Sequence, residues 1–382
     1  MKLKKLGKIL LWTLAVLVVL GAAGFLFLRS QMPHHTVNGT PVAIKPSGDR
    51  LLDSMRRGVE YLKVHQEPDG EFSAGLLDPK PAFTALVVDT LARCPDRYDS
   101  KTPWVRKALD AIVSHQQPDG GIYTPRLGLG NYCTSVSIMA LAGTGDPDYE
   151  PAIARARDYV RKLQHSSGGT GYNADSRPDM SNTMMTLEAL KAAGLDENSE
   201  EFKRAAAFVS LCQNNSETNK SEYAAVVNDG GGIYRPGESK AGEVVGRDGR
   251  VGYKSYGLMS YAVLVSFLWT GVDREDPRVK SAFKWVQNNW TLEENRNLGN
   301  SGLYYYYLTM AKALRTYGQR KITTADGKVH DWPVELADRI ISLQKPDGSW
   351  RNENNTWFET DSVLVTAYMV RALTICREVT GT

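Results

Sequence analysis

A glutamine, a tight turn and an aromatic residue recur along this chain, and the recurrence restricts the fold more than any other feature. The motif stands as Gln66-Glu67-Pro68-Asp69-Gly70-Glu71-Phe72. It returns as Gln116-Gln117-Pro118-Asp119-Gly120-Gly121-Ile122-Tyr123 and as Gln344-Lys345-Pro346-Asp347-Gly348-Ser349-Trp350. Looser copies lie between. Gln164 leads to Gly168-Gly169 and Tyr172, Gln213 to Asp229-Gly230-Gly231-Gly232-Ile233-Tyr234, and Gln287 to Gly302-Leu303-Tyr304. Successive glutamines are 50, 48, 49, 74 and 57 residues apart. One supersecondary unit of about 50 residues, used six times with an insertion near 215–252, accounts for that spacing.

Each unit reads as two helices. Pro-Asp-Gly is a turn for physical reasons: Pro presets φ, Asp bonds the local backbone, and Gly takes the exit conformation. An amphipathic helix precedes each Gln. In 153–163, Ile153, Ala156, Val160 and Leu163 keep the helical period while Arg155, Arg157, Arg161 and Lys162 fall between them. Thr102-Pro103, Asp276-Pro277 and Trp332-Pro333 put proline where a helix starts. After each turn comes a segment apolar nearly all round, as in 132–142, 256–269 and 361–373. A helix apolar on every face is buried on every face. The pattern predicts an all-α fold, an (α/α)6 toroid of six helical hairpins, with one transmembrane helix before it. An open solenoid would leave one face of the inner helices wet.

The amino terminus predicts a membrane anchor. Lys2, Lys4, Lys5 and Lys8 precede an uncharged run over residues 9–28, and Arg29 closes it. Twenty residues at about 1.5 Å each span a hydrocarbon core of about 30 Å. The lysines favour a cytoplasmic N-terminus, which puts the remainder outside the cytoplasm, or in the periplasm of a bacterium. Small residues at 21–24 would suit signal-peptide cleavage, but Phe25-Leu26-Phe27-Leu28 continues the apolar run past them. The predicted organisation is a cytoplasmic tip and signal anchor over 1–29, a linker over 30–48 and the toroid over 49–382. Balanced charge, 46 basic against 43 acidic residues, argues against a nucleic-acid partner. Four cysteines without a CxxC or Cys/His cluster indicate neither a disulfide scaffold nor a zinc site, and no metal or cofactor is expected.

Gln-x-Pro-Asp-Gly-x-aromatic resembles the repeat of squalene and oxidosqualene cyclases and of protein prenyltransferase β subunits. The resemblance covers roughly residues 50–376. It implies an α/α toroid in which the Gln and the aromatic tie neighbouring repeats together. Ser255-Tyr256-Gly257-Leu258-Met259-Ser260-Tyr261 and Leu303-Tyr304-Tyr305-Tyr306-Tyr307 also resemble segments of bacterial cyclase-like repeat proteins. The chemistry is less marked, because toroids host several activities and the motif is structural. Proton-initiated cyclases of the superfamily carry Asp-x-Asp-Asp, and this chain has no Asp-Asp pair. Where the zinc of prenyltransferases would be bound stand Asn131-Tyr132-Cys133 and Phe358-Glu359-Thr360-Asp361, a poor zinc set. The Cys-Gly-Glu-Gln of thioester domains is absent.

The turns lie at one end of the ring, where six parallel inner helices begin. Their partial positive charges favour an anion there. Candidate ligand-binding residues at this end are Tyr132, Cys133, Arg177, Lys254, Tyr256, Tyr304 and Phe358, and candidate catalytic carboxyls are Asp361, Glu359 and Asp179. Each has a plainer role available: Asp179 and Asp361 as helix caps, Cys133 as a small core residue, Arg177 and Lys254 as solvated charges. Consecutive tyrosines at 304–307 point different ways, so at most two face a cavity. The function expected is that of a terpenoid cyclase- or prenyltransferase-like repeat protein holding an isoprenoid or other apolar ligand. If it is an enzyme, it isomerises, cyclises or transfers prenyl groups. The alternatives are a non-catalytic toroid that binds lipid or protein outside the cytoplasm, and a carbohydrate-active (α/α)6 enzyme. Ring closure would set residues 83–91 beside 363–373 and make Cys94 and Cys376 a candidate disulfide.

Overall fold

A computed structural model of the protein describes residue 42, residues 44–72 and residues 80–381. The expected anchor over 9–28 and most of the linker lie outside these residues. Among the described residues no helix is long and apolar enough to cross a membrane.

Six outer helices alternate with six inner ones. The outer set is α1 (Arg50–Val64), α3 (Pro103–Ser114), α5 (Glu150–Lys162), α7 (Glu200–Leu211), α10 (Pro277–Asn288) and α12 (Trp332–Ser342). The inner set is α2 (Lys80–Arg93), α4 (Gly130–Thr144), α6 (Met180–Ala192), α9 (Gly257–Trp269), α11 (Leu303–Tyr317) and α13 (Ser362–Thr380). Each inner helix packs on the next, and α13 packs back on α2. The ring is therefore closed. Ser, Thr, Ala and Met intersperse the larger residues of the inner helices, and most positions along them are buried. Small side chains let buried helices approach on several sides at once.

Glutamine works as a clasp between repeats. Gln66 Nε2 donates to Gly70 O (2.9 Å) in its own turn and to Trp104 O (2.8 Å) in the next outer helix. Gln116 does the same to Gly120 O and Ala152 O, both at 2.9 Å, and Gln164 to Gly168 O and Glu201 O, both at 2.8 Å. Gln213 reaches Gly230 O (3.0 Å) and Arg278 O (2.8 Å). Gln344 reaches Gly348 O (2.9 Å) and Ser54 O (3.0 Å), which joins the last repeat to the first. Gln287 departs: it donates to Thr323 O at 2.9 Å. A two-stranded hairpin, β3 (Lys321–Thr323) with β4 (Val329–Asp331), precedes α12 there. A second tie joins each of five turns to the inner helix that follows it. Phe72, Ile122, Thr170, Gly232 and Trp350 donate backbone N–H bonds to Thr84, Thr134, Thr183, Ser260 and Thr366 on the following inner helix, at 2.9–3.1 Å.

The insertion is folded. It contains α8 (Glu222–Val227) and a hairpin of β1 (Glu243–Val245) with β2 (Val251–Tyr253), and Tyr223 and Tyr253 meet edge-on at 5.6 Å. At the closing seam, Thr90 Oγ1 donates to Ala367 O at 3.1 Å, and the Arg371 guanidinium lies 3.7 Å from the Asp89 carboxylate. The candidate Cys94–Cys376 disulfide is not formed; both are free thiols. The register explains it. Thr90 lies opposite Ala367, so Cys376 stands about five residues, or roughly 7.5 Å, further along its helix than Cys94.

Candidate functional site

The first turns of all six inner helices converge on one cavity of about 310 Å³. Phe83 enters from α2, Tyr132 from α4, Ser181 and Asn182 from α6, Leu258 and Met259 from α9, Tyr305 from α11, and Leu364 and Tyr368 from α13. The segments leading into those helices add Leu129, Tyr172, Tyr234, Tyr256, Trp357 and Phe358. No charged side chain stands among these described lining residues.

The predicted residues divide. Tyr132, Tyr256 and Phe358 line the cavity. Tyr304 does not; its neighbour Tyr305 faces inward instead, and Tyr304 donates to Arg351 O at 3.3 Å. Tyr306 and Tyr307 point outward, to Thr291 O and Leu292 O. Cys133 is buried in α4 outside the cavity lining, and Arg177 and Lys254 are exposed. Tyr172 and Tyr234 were visible in the sequence only as the aromatics of their repeat turns. Asn182 and Tyr368 carried no signal at all, because nothing in a run of buried helix marks which face meets a void.

The three candidate carboxyls cap helices. Asp179 Oδ1 accepts from Asn182 N–H and its Oδ2 from Asn182 Nδ2, both at 2.9 Å. Asp361 Oδ1 accepts from Leu364 N–H at 2.8 Å. Glu359 caps a helix not its own: it accepts from Tyr305 N–H at 2.7 Å at the start of α11, and from Asn352 Nδ2 at 2.6 Å. The amide of Asn295 similarly caps α9, accepting from Leu258 N–H at 2.9 Å. The helix N-termini expected to attract an anion are thus largely answered by the protein's own oxygens.

Burial sets the protonation of these groups. It pushes the Asp179 carboxyl above the usual range, against the opposing bonds from Asn182 and the nearby Arg235 charge. It pushes Glu359 to about 7, although Asn352 and the backbone of α11 favour the ionised form. Neither carboxyl is among the lining residues. The tyrosine hydroxyls of the wall are likewise held neutral by burial, Tyr256, Tyr305 and Tyr368 well above their ordinary range.

At the mouth, Trp357 and Phe358 have φ of 54° and 63°, successive left-handed residues without a glycine. Such residues are costly, about 1–3 kcal/mol each, and persist where the surroundings hold them. The Trp357 ring lies against Gly302, where a Cβ would come within 2.2 Å, and Phe358 meets Phe83 edge-on at 5.9 Å. Phe358 remains 48% exposed. The strained pair places two aromatic rings over the cavity.

The model of the squalene-hopene cyclase C-terminal domain matches residues 71–186, which run from the first turn into α6. The match bears out the resemblance of the repeats to the terpenoid cyclase-like α/α toroid superfamily. No curated protein matches the chain by sequence. Among solved structures, an unsaturated glucuronyl hydrolase specific for heparin is similar over 88% of this chain and 99% of its own, at 15% identity and a TM-score of 0.56. A protein from Actinoplanes is similar over 87% of this chain and 100% of its own, at 14% identity and a TM-score of 0.52. The type II terpene cyclase MstE from Scytonema matches over 86% of this chain and 99% of its own, at 16% identity and a TM-score of 0.34. At such identities likeness extends to the fold alone.

Proposed function

We propose that the protein binds an isoprenoid or comparable apolar ligand in the aromatic cavity at the N-terminal end of its inner helices, and that residues 9–28 tether it to a membrane with the toroid outside the cytoplasm. The observation that carries the binding site is its wall: six tyrosines, two phenylalanines and a tryptophan around about 310 Å³. Burying some 300 Å² of apolar ligand surface is worth roughly 7 kcal/mol before the entropic cost of binding. The aromatic faces would also favour positive charge on a ligand, by about 0.5–2 kcal/mol per ring.

The reading is one of binding rather than proton-initiated cyclisation. That chemistry needs a strong acid aimed into the cavity, and Asp179, Glu359 and Asp361 are engaged in helix caps. The carbohydrate alternative has the toroid in its favour. It needs two carboxyls flanking the substrate, about 5–9.5 Å apart, and no carboxyl lies among the described lining residues.

Native mass spectrometry and lipid extraction of the full-length protein, purified in mild detergent, test the reading. A co-purifying neutral terpenoid or similar lipid is expected, with tryptophan fluorescence changing as such lipids are added back. A protein that carries nothing and responds to no terpenoid overturns it.

A further inference from the structure

The aromatic wall is interrupted by polar atoms that have no partner. The Tyr256 and Tyr305 hydroxyls and the Asn182 side-chain oxygen make no hydrogen bond with any described residue. All three side chains line the cavity and are buried, Tyr256 at 0%, Asn182 at 1% and Tyr305 at 9% exposure. Buried polar atoms left unpaired are costly, and native proteins pair nearly all of them.

The orientation of the Asn182 amide is fixed by chemistry. Its Nδ2 donates to Asp179 Oδ2 at 2.9 Å. A flipped amide would set its oxygen against that carboxylate, so the oxygen is the atom left for the cavity. Asp179 is therefore a positioning residue. Its own charge is offset by Arg235, whose guanidinium lies 4.7 Å from the Tyr234 ring centroid. Tyr256 and Tyr305, held neutral by their burial, are donors. The unpaired atoms are thus two hydroxyl donors and one amide acceptor, with no charged side chain among the described lining residues.

We infer that the cavity selects an uncharged alcohol, whose hydroxyl accepts from the unpaired tyrosines and donates to Asn182 while its hydrocarbon body lies on the aromatic wall. This deepens the proposed function and rests on it. A hydroxyl accepts and donates with one oxygen. An aldehyde or ether accepts from the tyrosines but leaves Asn182 unpaired, a hydrocarbon pairs none of them, and a diphosphate meets no cation among the described lining residues. Size bounds the ligand as well. Filled to the packing density of a protein interior, about 310 Å³ takes roughly fifteen carbon-sized atoms.

The experiment is a calorimetric titration of the full-length protein with four fifteen-carbon probes: farnesol, farnesal, farnesene and farnesyl diphosphate. Farnesol should bind most tightly, roughly tenfold better than farnesene, as two ordinary hydrogen bonds allow. Farnesal should fall between them, and the diphosphate should bind weakest. Tyr256→Phe should weaken farnesol and farnesal several-fold and leave farnesene unchanged. Farnesene binding as well as farnesol, or the diphosphate binding better, overturns the inference and leaves the proposed function standing. Binding of none of the four overturns the proposed function itself. The comparison between probes needs no variant, so it stands even if Tyr256→Phe does not fold.

Discussion

Buried Glu359 accepts bonds from the backbone of α11 and from the amide of Asn352, yet burial dominates and raises its carboxyl to about 7. The sequence predicts the opposite balance for an acid at a helix start, because capping bonds and the helix dipole favour the ionised form. What it lacks is the depth of the residue, which is 0% exposed. A carboxyl raised on folding makes stability fall as pH rises. Below its unfolded value near 4.5 both states are protonated and nothing is lost. Between there and about 7 the unfolded chain ionises first, and each unit of difference is worth about 1.4 kcal/mol. Up to roughly 3 kcal/mol should therefore disappear between pH 4.5 and 7. In thermal melts compared across that window, Glu359→Gln should flatten the decline relative to the wild type. A variant as pH-sensitive as the wild type would assign the decline to other groups. Glu359→Gln should also be less stable than the wild type at low pH, since its own amide N–H₂ meets that of Asn352.

The turn glycines show the same division between local and tertiary causes one level up, in the hairpin. Each has φ near 90°, which Pro-Asp-Gly predicts from sequence alone at Gly70, Gly120 and Gly348. Their second constraint is tertiary. A Cβ on Gly70, Gly120, Gly168, Gly230 or Gly348 would meet a backbone oxygen of the next outer helix at 2.7, 2.6, 2.0, 2.4 or 2.6 Å. Gly168→Ala should therefore be destabilising by about 3 kcal/mol or more, strain and clash together. Gly145→Ala is the control. It has φ of 67° with nothing within 4 Å, and should lose only about 1–2 kcal/mol. Chemical denaturation of the two variants measures the difference. The clasp glutamines are testable in the same way. Gln344→Ala removes the bonds to Gly348 O and Ser54 O across the seam and should lose about 2–3 kcal/mol. Gln287→Ala, with its single bond to an exposed strand, should lose less than half of that.

The whole molecule is a ring whose two ends meet. Arg377 near the end of α13 pairs with Asp49, the cap of α1, and Arg57 of α1 donates to the Gln344 side chain. A circular permutant that joins residue 381 to residue 48 through a short glycine-serine linker, with new termini in the exposed turn at 196–198, should keep its circular dichroism spectrum and melt in one transition. A permutant that melts in two steps would indicate a seam that does not close. Within this ring the amino-acid sequence alone determined the helical hairpins, their number and their order. Those features depend on the spacing of apolar residues and on turn chemistry, both local. It also carried the resemblance to cyclase repeats, since the clasp uses the same few side chains each time. Only the tertiary structure decided which residues face the axis. Tyr305 lines the cavity and Tyr304 does not, although the two are adjacent and chemically identical. The choice between them is a matter of helix rotation, set by how six helices pack together at once. The unpaired oxygens of Tyr256 and Asn182 arise in the same way. Each becomes exceptional only when the ring closes around it and water is excluded.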